Sequence, residues 1–109
     1  MLDHTRLDLL RRELGHTSLQ EIFIIFEEEC QTAINNLKRA RCSDQIVQAA
    51  HFLRGNCTNL GLTQLAKLCQ AIETSAATSA STNAQIDMLE QVFKRSIDEL
   101  QLYLSAQSN

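Results

Sequence analysis

Three positions on one predicted helix carry the chemistry open to this chain: an imidazole at His51, a guanidinium at Arg54 and a missing side chain at Gly55. With the centre of the apolar stripe Ile46, Ala50, Leu53, Cys57 and Leu60 set to zero, His51 falls at roughly 140°, Gly55 at roughly 180° and Thr58 at roughly 120°. Asp44, Val47 and Gln48 share that outer half, and Arg54 lies at its edge. An imidazole that accepts a phosphoryl group must stay neutral and present one ring nitrogen to in-line attack. The phosphoryl oxygens then need a cation, which Arg54 supplies one turn along. Gly55, at i+4, removes the side chain above the ring, so that an incoming active site can close over it. Glycine in mid-helix costs about 1 kcal/mol relative to alanine, and a close helix–helix contact does not explain it on a face opposite the core. Asn56 and Thr58 are placed to add hydrogen bonds near the ring, or are ordinary surface. His4 and His16 lack such neighbours and read as plain surface histidines.

The elements that position this face are helices. There is no proline, only three glycines, and apolar residues recur at helical spacing between short polar breaks. A first short helix is predicted over 3–14, with Leu7, Leu10 and Leu14 on one face and Gly15 ending it. Thr17 or Ser18 is expected to cap a long second helix reaching about residue 41, and Ser18 with Glu21 has the form of a capping box. Leu19, Ile22, Phe26, Cys30, Ala33 and Leu37 make its stripe. Ser43 is expected to cap the third helix, which Gly61 interrupts. The fourth carries Leu62, Leu65, Cys69, Ile72 and Ala76. Residues 74–83 read as a fraying end plus a loop, and a last helix over 83–105 carries Ile86, Leu89, Phe93, Ile97, Leu100 and Leu104. The fold class that follows is all-α, an antiparallel four-helix bundle with an additional short N-terminal helix.

Bulk properties narrow the function. A chain of 109 residues, 44% hydrophobic, builds one modest core, hence a single domain over 1–109. A net charge of −3 offers no basic excess for nucleic acid. The longest apolar run, Ile22 to Phe26, is too short to span a bilayer, and the first residues lack a secretory pattern, so a cytoplasmic place is expected. Cys30, Cys42, Cys57 and Cys69 contain no C-x-x-C pair and are expected to be free thiols acting as small hydrophobes, with no metal site. Met1 and the polar end 105–109 suggest a free-standing protein.

The stretch 50–61, Ala-His-Phe-Leu-Arg-Gly-Asn-Cys-Thr-Asn-Leu-Gly, resembles the signature of histidine phosphotransfer (Hpt) domains, A-H-x-L-K-G-S-S-x-x-L-G. Residues 65–73 and the Phe26-x-Glu28 and Leu37 positions are also similar to that family, over about residues 2–79 by motif and the last helix by pattern. The resemblance implies a phosphorelay carrier in which His51 takes the acceptor position, with Nε2 as the attacking atom. Arg54 stands where the family mostly has lysine, and Gly55 matches the glycine that permits docking. Asn56 and Cys57 replace the usual Ser-Ser pair. Asn56 is expected to tune phosphohistidine stability or ring orientation, and Cys57 to pack. Glu73 matches a polar position one helix over that can lie near the histidine. The implied reaction is reversible transfer between His51 and an aspartyl phosphate on the receiver domain of a response regulator or hybrid histidine kinase. The receiver brings the Mg²⁺, and this chain binds no cofactor. No P-loop is present, so self-phosphorylation from ATP is not expected.

A receiver also needs apolar contact. Ile24 and Ile25 lie off the second helix's stripe and, with Val47 and Gln48, offer a docking patch beside His51, unless the N-terminal helix covers them. Phe52 is placed to pack under that same helix. Glu27, Glu28 and Glu29 read as a solvated face. One alternative is the dimerisation domain of a histidine kinase. It typically has an acidic residue after the histidine and a proline five positions on, where this chain has Phe52 and Asn56. A second is a non-catalytic module that binds a receiver and thereby sequesters or regulates a response regulator. A plain structural bundle leaves the His51 face unexplained. A monomer is expected, since one exposed histidine needs no second copy.

Overall fold

The computed structural model describes residues 2–78 and 80–107. Residues 1, 79, 108 and 109 of the expected single domain, two of them in the polar end, lie outside the described residues. Five helices follow in order: α1 His4–Leu14, α2 His16–Arg39, α3 Ser43–Asn59, α4 Thr63–Ala77 and α5 Asn83–Gln107. Helices α2 to α5 form a closed ring in which α2 packs on α3, α3 on α4, α4 on α5 and α5 on α2, while α1 packs against α2. This is the expected four-helix bundle with its N-terminal helix, 48 Å long and about 20 Å across.

The predicted stripes converge on one core. Leu19, Phe26, Cys30, Ala33 and Leu37 of α2 meet Ala50, Leu53 and Cys57 of α3, and Leu65, Cys69 and Ile72 of α4 face Ile86, Leu89, Phe93, Ile97 and Leu100 of α5. Phe23, Ile34, Val92 and Tyr103 are buried beside them, one position off the stripes. Leu14, expected on the apolar face of α1, is exposed instead, because α1 is only three turns long and ends there at Gly15. His16 is half-buried, with neither ring nitrogen hydrogen-bonded, against the expectation of a plain surface residue.

Two caps differ from expectation for one reason. Gly15, at φ +85°, makes the whole α1–α2 connection by itself, so α2 begins at His16 and the Leu19 N–H bonds the Gly15 carbonyl. Thr17 and Ser18 are therefore already inside the first turn, and no side chain caps α2. Likewise Cys42, extended at φ −148°, is the N-cap of α3, which puts Ser43 inside the helix with no side-chain cap. Gly61, at φ +78°, turns the chain from α3 into α4 as expected. The N-terminal segment is pinned to that turn: the Asp3 N–H donates to the Gly61 carbonyl at 2.7 Å, and Arg6 Nε donates to the Asn59 carbonyl at 2.9 Å. Tyr103 ties α5 to α1 by donating to Asp8 Oδ1 at 2.6 Å. Burial, and then that hydrogen bond, push the Tyr103 hydroxyl's pKa upward. Among the described residues, no helix is long and apolar enough to cross a membrane.

Candidate functional site

His51 sits mid-way along α3, whose buried residues Ala50, Leu53 and Cys57 hold the opposite face against the core. Its side chain is 69% exposed. The neighbouring helix brings Glu73 up to it. On α4 the buried stripe includes Cys69 and Ile72, and Glu73 follows at the stripe's edge, so its carboxylate leans toward α3 and is only 15% exposed. A buried carboxylate needs a cation and hydrogen bonds to offset its lost hydration. Arg54, one turn after His51, provides them: its Nε is 3.0 Å from Glu73 Oε2. Glu73 Oε1 in turn is 3.0 Å from His51 Nδ1, and Arg54 Nη2 lies 3.0 Å from that same nitrogen. Imidazole, guanidinium and carboxylate close a triangle. His51 Nε2 makes no hydrogen bond among the described residues.

An acceptor and a donor meet Nδ1 at the same 3.0 Å distance. A neutral imidazole has one N–H, so Nδ1 either donates to Glu73 or accepts from Arg54. With a lone pair on Nδ1, a carboxylate oxygen would face it at 3.0 Å. Protonation at Nδ1 turns that contact into a charge-assisted hydrogen bond and leaves the lone pair on the outward Nε2. In that tautomer the 3.0 Å approach of Arg54 Nη2 to Nδ1 brings two donors together and is not a hydrogen bond, and Arg54 keeps its link to Glu73 through Nε.

Gly55 is exposed, and a Cβ built there meets nothing within 4 Å. No contact within the chain therefore requires a glycine at this position. Asn56 is turned away from the imidazole: its Nδ2 donates to Glu29 Oε2 on α2 at 3.2 Å. Thr58 is exposed, and its carbonyl accepts from the Gly61 N–H. Val47 is half-buried and Gln48 exposed, one turn before His51. Ile24, 61% exposed, and Ile25, 54% exposed, are not covered by α1. Ile24 lines a groove between α2 and α5 with Phe23, Ile97, Leu100 and Leu104, whereas Gln48 lines a different groove between α2 and α3. Phe52 does not pack under α1 as expected. It is 52% exposed and lines the α2–α3 groove, because it points to the flank of α3 that faces α2.

Beneath the triangle, Cys30, Cys57 and Cys69 from three helices are fully buried. Cys57 packs as expected. Its thiol is pushed up chiefly by its hydrogen bond with Cys30, and Cys69 chiefly by its hydrogen bond with Cys57 and then by burial, so both stay protonated and inert. Among the described residues, no group of three or more His, Cys, Asp or Glu side chains is arranged to hold a metal ion.

The resemblance put Glu73 at a polar position one helix over that can lie near the histidine, and the structure brings it to His51 Nδ1. The signal lay in its spacing, four residues after buried Cys69, which aims a carboxylate along the core edge toward the next helix. In comparison with known proteins, the family model of the Hpt domain matches residues 21–106. No curated protein and no solved structure matches the chain.

Proposed function

The chain belongs to the Hpt domain family, and from that premise we propose that His51 is the phosphoacceptor of a phosphorelay carrier. Hpt domains perform histidine phosphotransfer and interact with receiver domains. The observation that carries the assignment to His51 is the division between its two ring nitrogens. Nδ1 is held at 3.0 Å by Glu73, and Nε2 projects unpaired from an exposed side chain.

In this reading a receiver docks and presents an aspartyl phosphate in line with Nε2. The N–P bond forms while the bond from phosphorus to the carboxylate oxygen breaks, and the aspartate leaves as a carboxylate. The Nδ1 proton stays on the ring, which becomes cationic, and Glu73 neutralises it through the existing hydrogen bond. Arg54 neutralises the phosphoryl oxygens. Return transfer reverses the same bonds, with the protonated ring as the leaving group. Mg²⁺ and the groups that hold the aspartyl phosphate come with the receiver, of a response regulator or a hybrid histidine kinase, and this chain contributes positioning and charge. Gly55 leaves room for that approach, with Gln48 and Val47 on the same face.

The test is transfer itself. The chain is incubated with a phosphorylated receiver and Mg²⁺, and acid-labile, base-stable label is expected on the wild type and absent from His51→Gln. Label that persists in His51→Gln contradicts the assignment. Receiver binding without any label on the wild type would instead make the chain a non-catalytic receiver-binding module.

A further inference from the structure

Leu102, 71% exposed, and Ile24, 61% exposed, are the barest large apolar side chains among the described residues. Both stand on or beside the seam where α2 packs against α5. A hollow of about 350 Å³ opens along that seam, with Phe23, Ile24, Ile97, Leu100 and Leu104 in its walls. Ile24 and Glu27 carry it on into a second hollow along α2, and Gln101 joins it to a third that includes Leu102. The charged residues lining all three are Glu27, Glu28 and Asp98, and none of these carboxylates enters an ion pair among the described residues. Lys94 and Arg95, the basic side chains of α5, line none of them. An open apolar floor is therefore bordered by charge of a single sign.

We infer that this flank docks an amphipathic helix of another protein, one with basic residues on either side of its apolar stripe. The sign of the rim selects that occupant. A second copy of this chain, of formal net charge −3, would bring the same carboxylates up against it. An anionic membrane surface is repelled in the same way. A helix with apolar residues at i, i+3, i+4 and i+7 fills the hollow instead, and its Lys or Arg side chains meet Glu27, Glu28 and Asp98. From Gln20 to Thr32 the lined stretch of α2 runs about 18 Å, room for three turns of such a helix. Helix α5 packs on α2 and α4 and lies across the bundle from α3, so a helix seated here leaves His51 open. The inference goes beyond the acceptor reading and stands without it: this dock holds the chain to a partner while the opposite face stays free.

The probe is a synthetic helical peptide of leucine and lysine with leucine at i, i+3, i+4 and i+7, titrated into the nitrogen-15-labelled chain. A leucine–glutamate peptide with the same apolar stripe is the control. The lysine peptide is expected to shift the amides of residues 20–32 and 97–105 and to leave those around His51 in place, and the glutamate peptide to shift neither. Two double variants separate the contributions, Ile24→Ser with Leu102→Ser for the apolar contact and Glu27→Gln with Asp98→Asn for the charge. All four side chains are exposed, so both variants are expected to keep the wild-type circular dichroism and to bind the lysine peptide about tenfold more weakly. The charge variant's deficit is expected to shrink at high salt. Shifts spread over the whole acidic surface, or wild-type affinity in either variant, overturn the inference. If the chain alone dimerises in size-exclusion chromatography and Leu102→Ser makes it monomeric, the occupant is a second copy and the inference fails. It fails equally if anionic phosphatidylglycerol vesicles bind the chain and Leu102→Ser abolishes that binding.

Discussion

At the residue scale, function turns on which nitrogen of His51 is tethered. Glu73 ties down Nδ1 and is itself linked to Arg54, so removing the carboxylate leaves Nδ1 with the Arg54 guanidinium alone, a donor that draws the lone pair to Nδ1 and the proton to Nε2. A hydrogen bond to a charged group is worth about 1.5–3 kcal/mol, so Glu73→Ala should lower transfer by about ten- to a hundredfold in single-turnover kinetics. Wild-type rates in that variant would show that Glu73 does not position the ring. Gly55 separates stability from access. A Cβ at this position meets open space, so Gly55→Ala should raise stability by about 0.5–1 kcal/mol in denaturant titration. Gly55→Gln should fold as well as wild type yet fail to exchange phosphate with a receiver. His51, Arg54 and Gly55 were legible in the sequence because one helical wheel holds all three. The resemblance placed Glu73 near the histidine, but its link to Arg54 and the Glu29 partner of Asn56 were not legible, since each contact crosses to another helix, at a register that periodicity alone does not set.

At the scale of elements, apolar spacing located every helix, and the stripes found most of the core. Their ends were harder to read. Ser18 and Ser43 look like caps in sequence, but a cap is the residue at which the backbone leaves the helix, and that residue is Gly15 in one case and Cys42 in the other. A one-residue connection leaves no room for a serine cap. Gly61 holds the opposite lesson, because its positive φ was foreseeable and its crowding was not. A Cβ there would lie 3.1 Å from Asp3 Cβ and 3.2 Å from the Asp3 carbonyl. Gly61→Ala should therefore cost about 1–3 kcal/mol by strain at φ +78° and displacement of the N-terminal segment. A denaturation midpoint equal to wild type would show that α1 is not fixed to the α3–α4 turn as described.

At the scale of the whole molecule, the bundle is a rigid mount for one exposed ring. The three thiols at its centre report on that rigidity. Cys42 is exposed, and Cys30, Cys57 and Cys69 are buried with Cys57 and Cys69 held protonated. A thiol reagent should modify Cys42 quickly and reach the other three only at the rate of global unfolding; rapid reaction of a second thiol would reveal a core that opens locally. The central claim is that Nε2 of His51 is the nucleophile and that Glu73 makes it so. It is tested most directly by nitrogen-15 NMR of the histidine-labelled chain, before and after transfer from a phosphorylated receiver. The expected spectra show a proton on Nδ1 and a bare Nε2 in the resting His51 ring, then phosphorus coupling at Nε2 with the Nδ1 proton retained. Phosphorus coupling at Nδ1, or on His4 or His16, would contradict that claim.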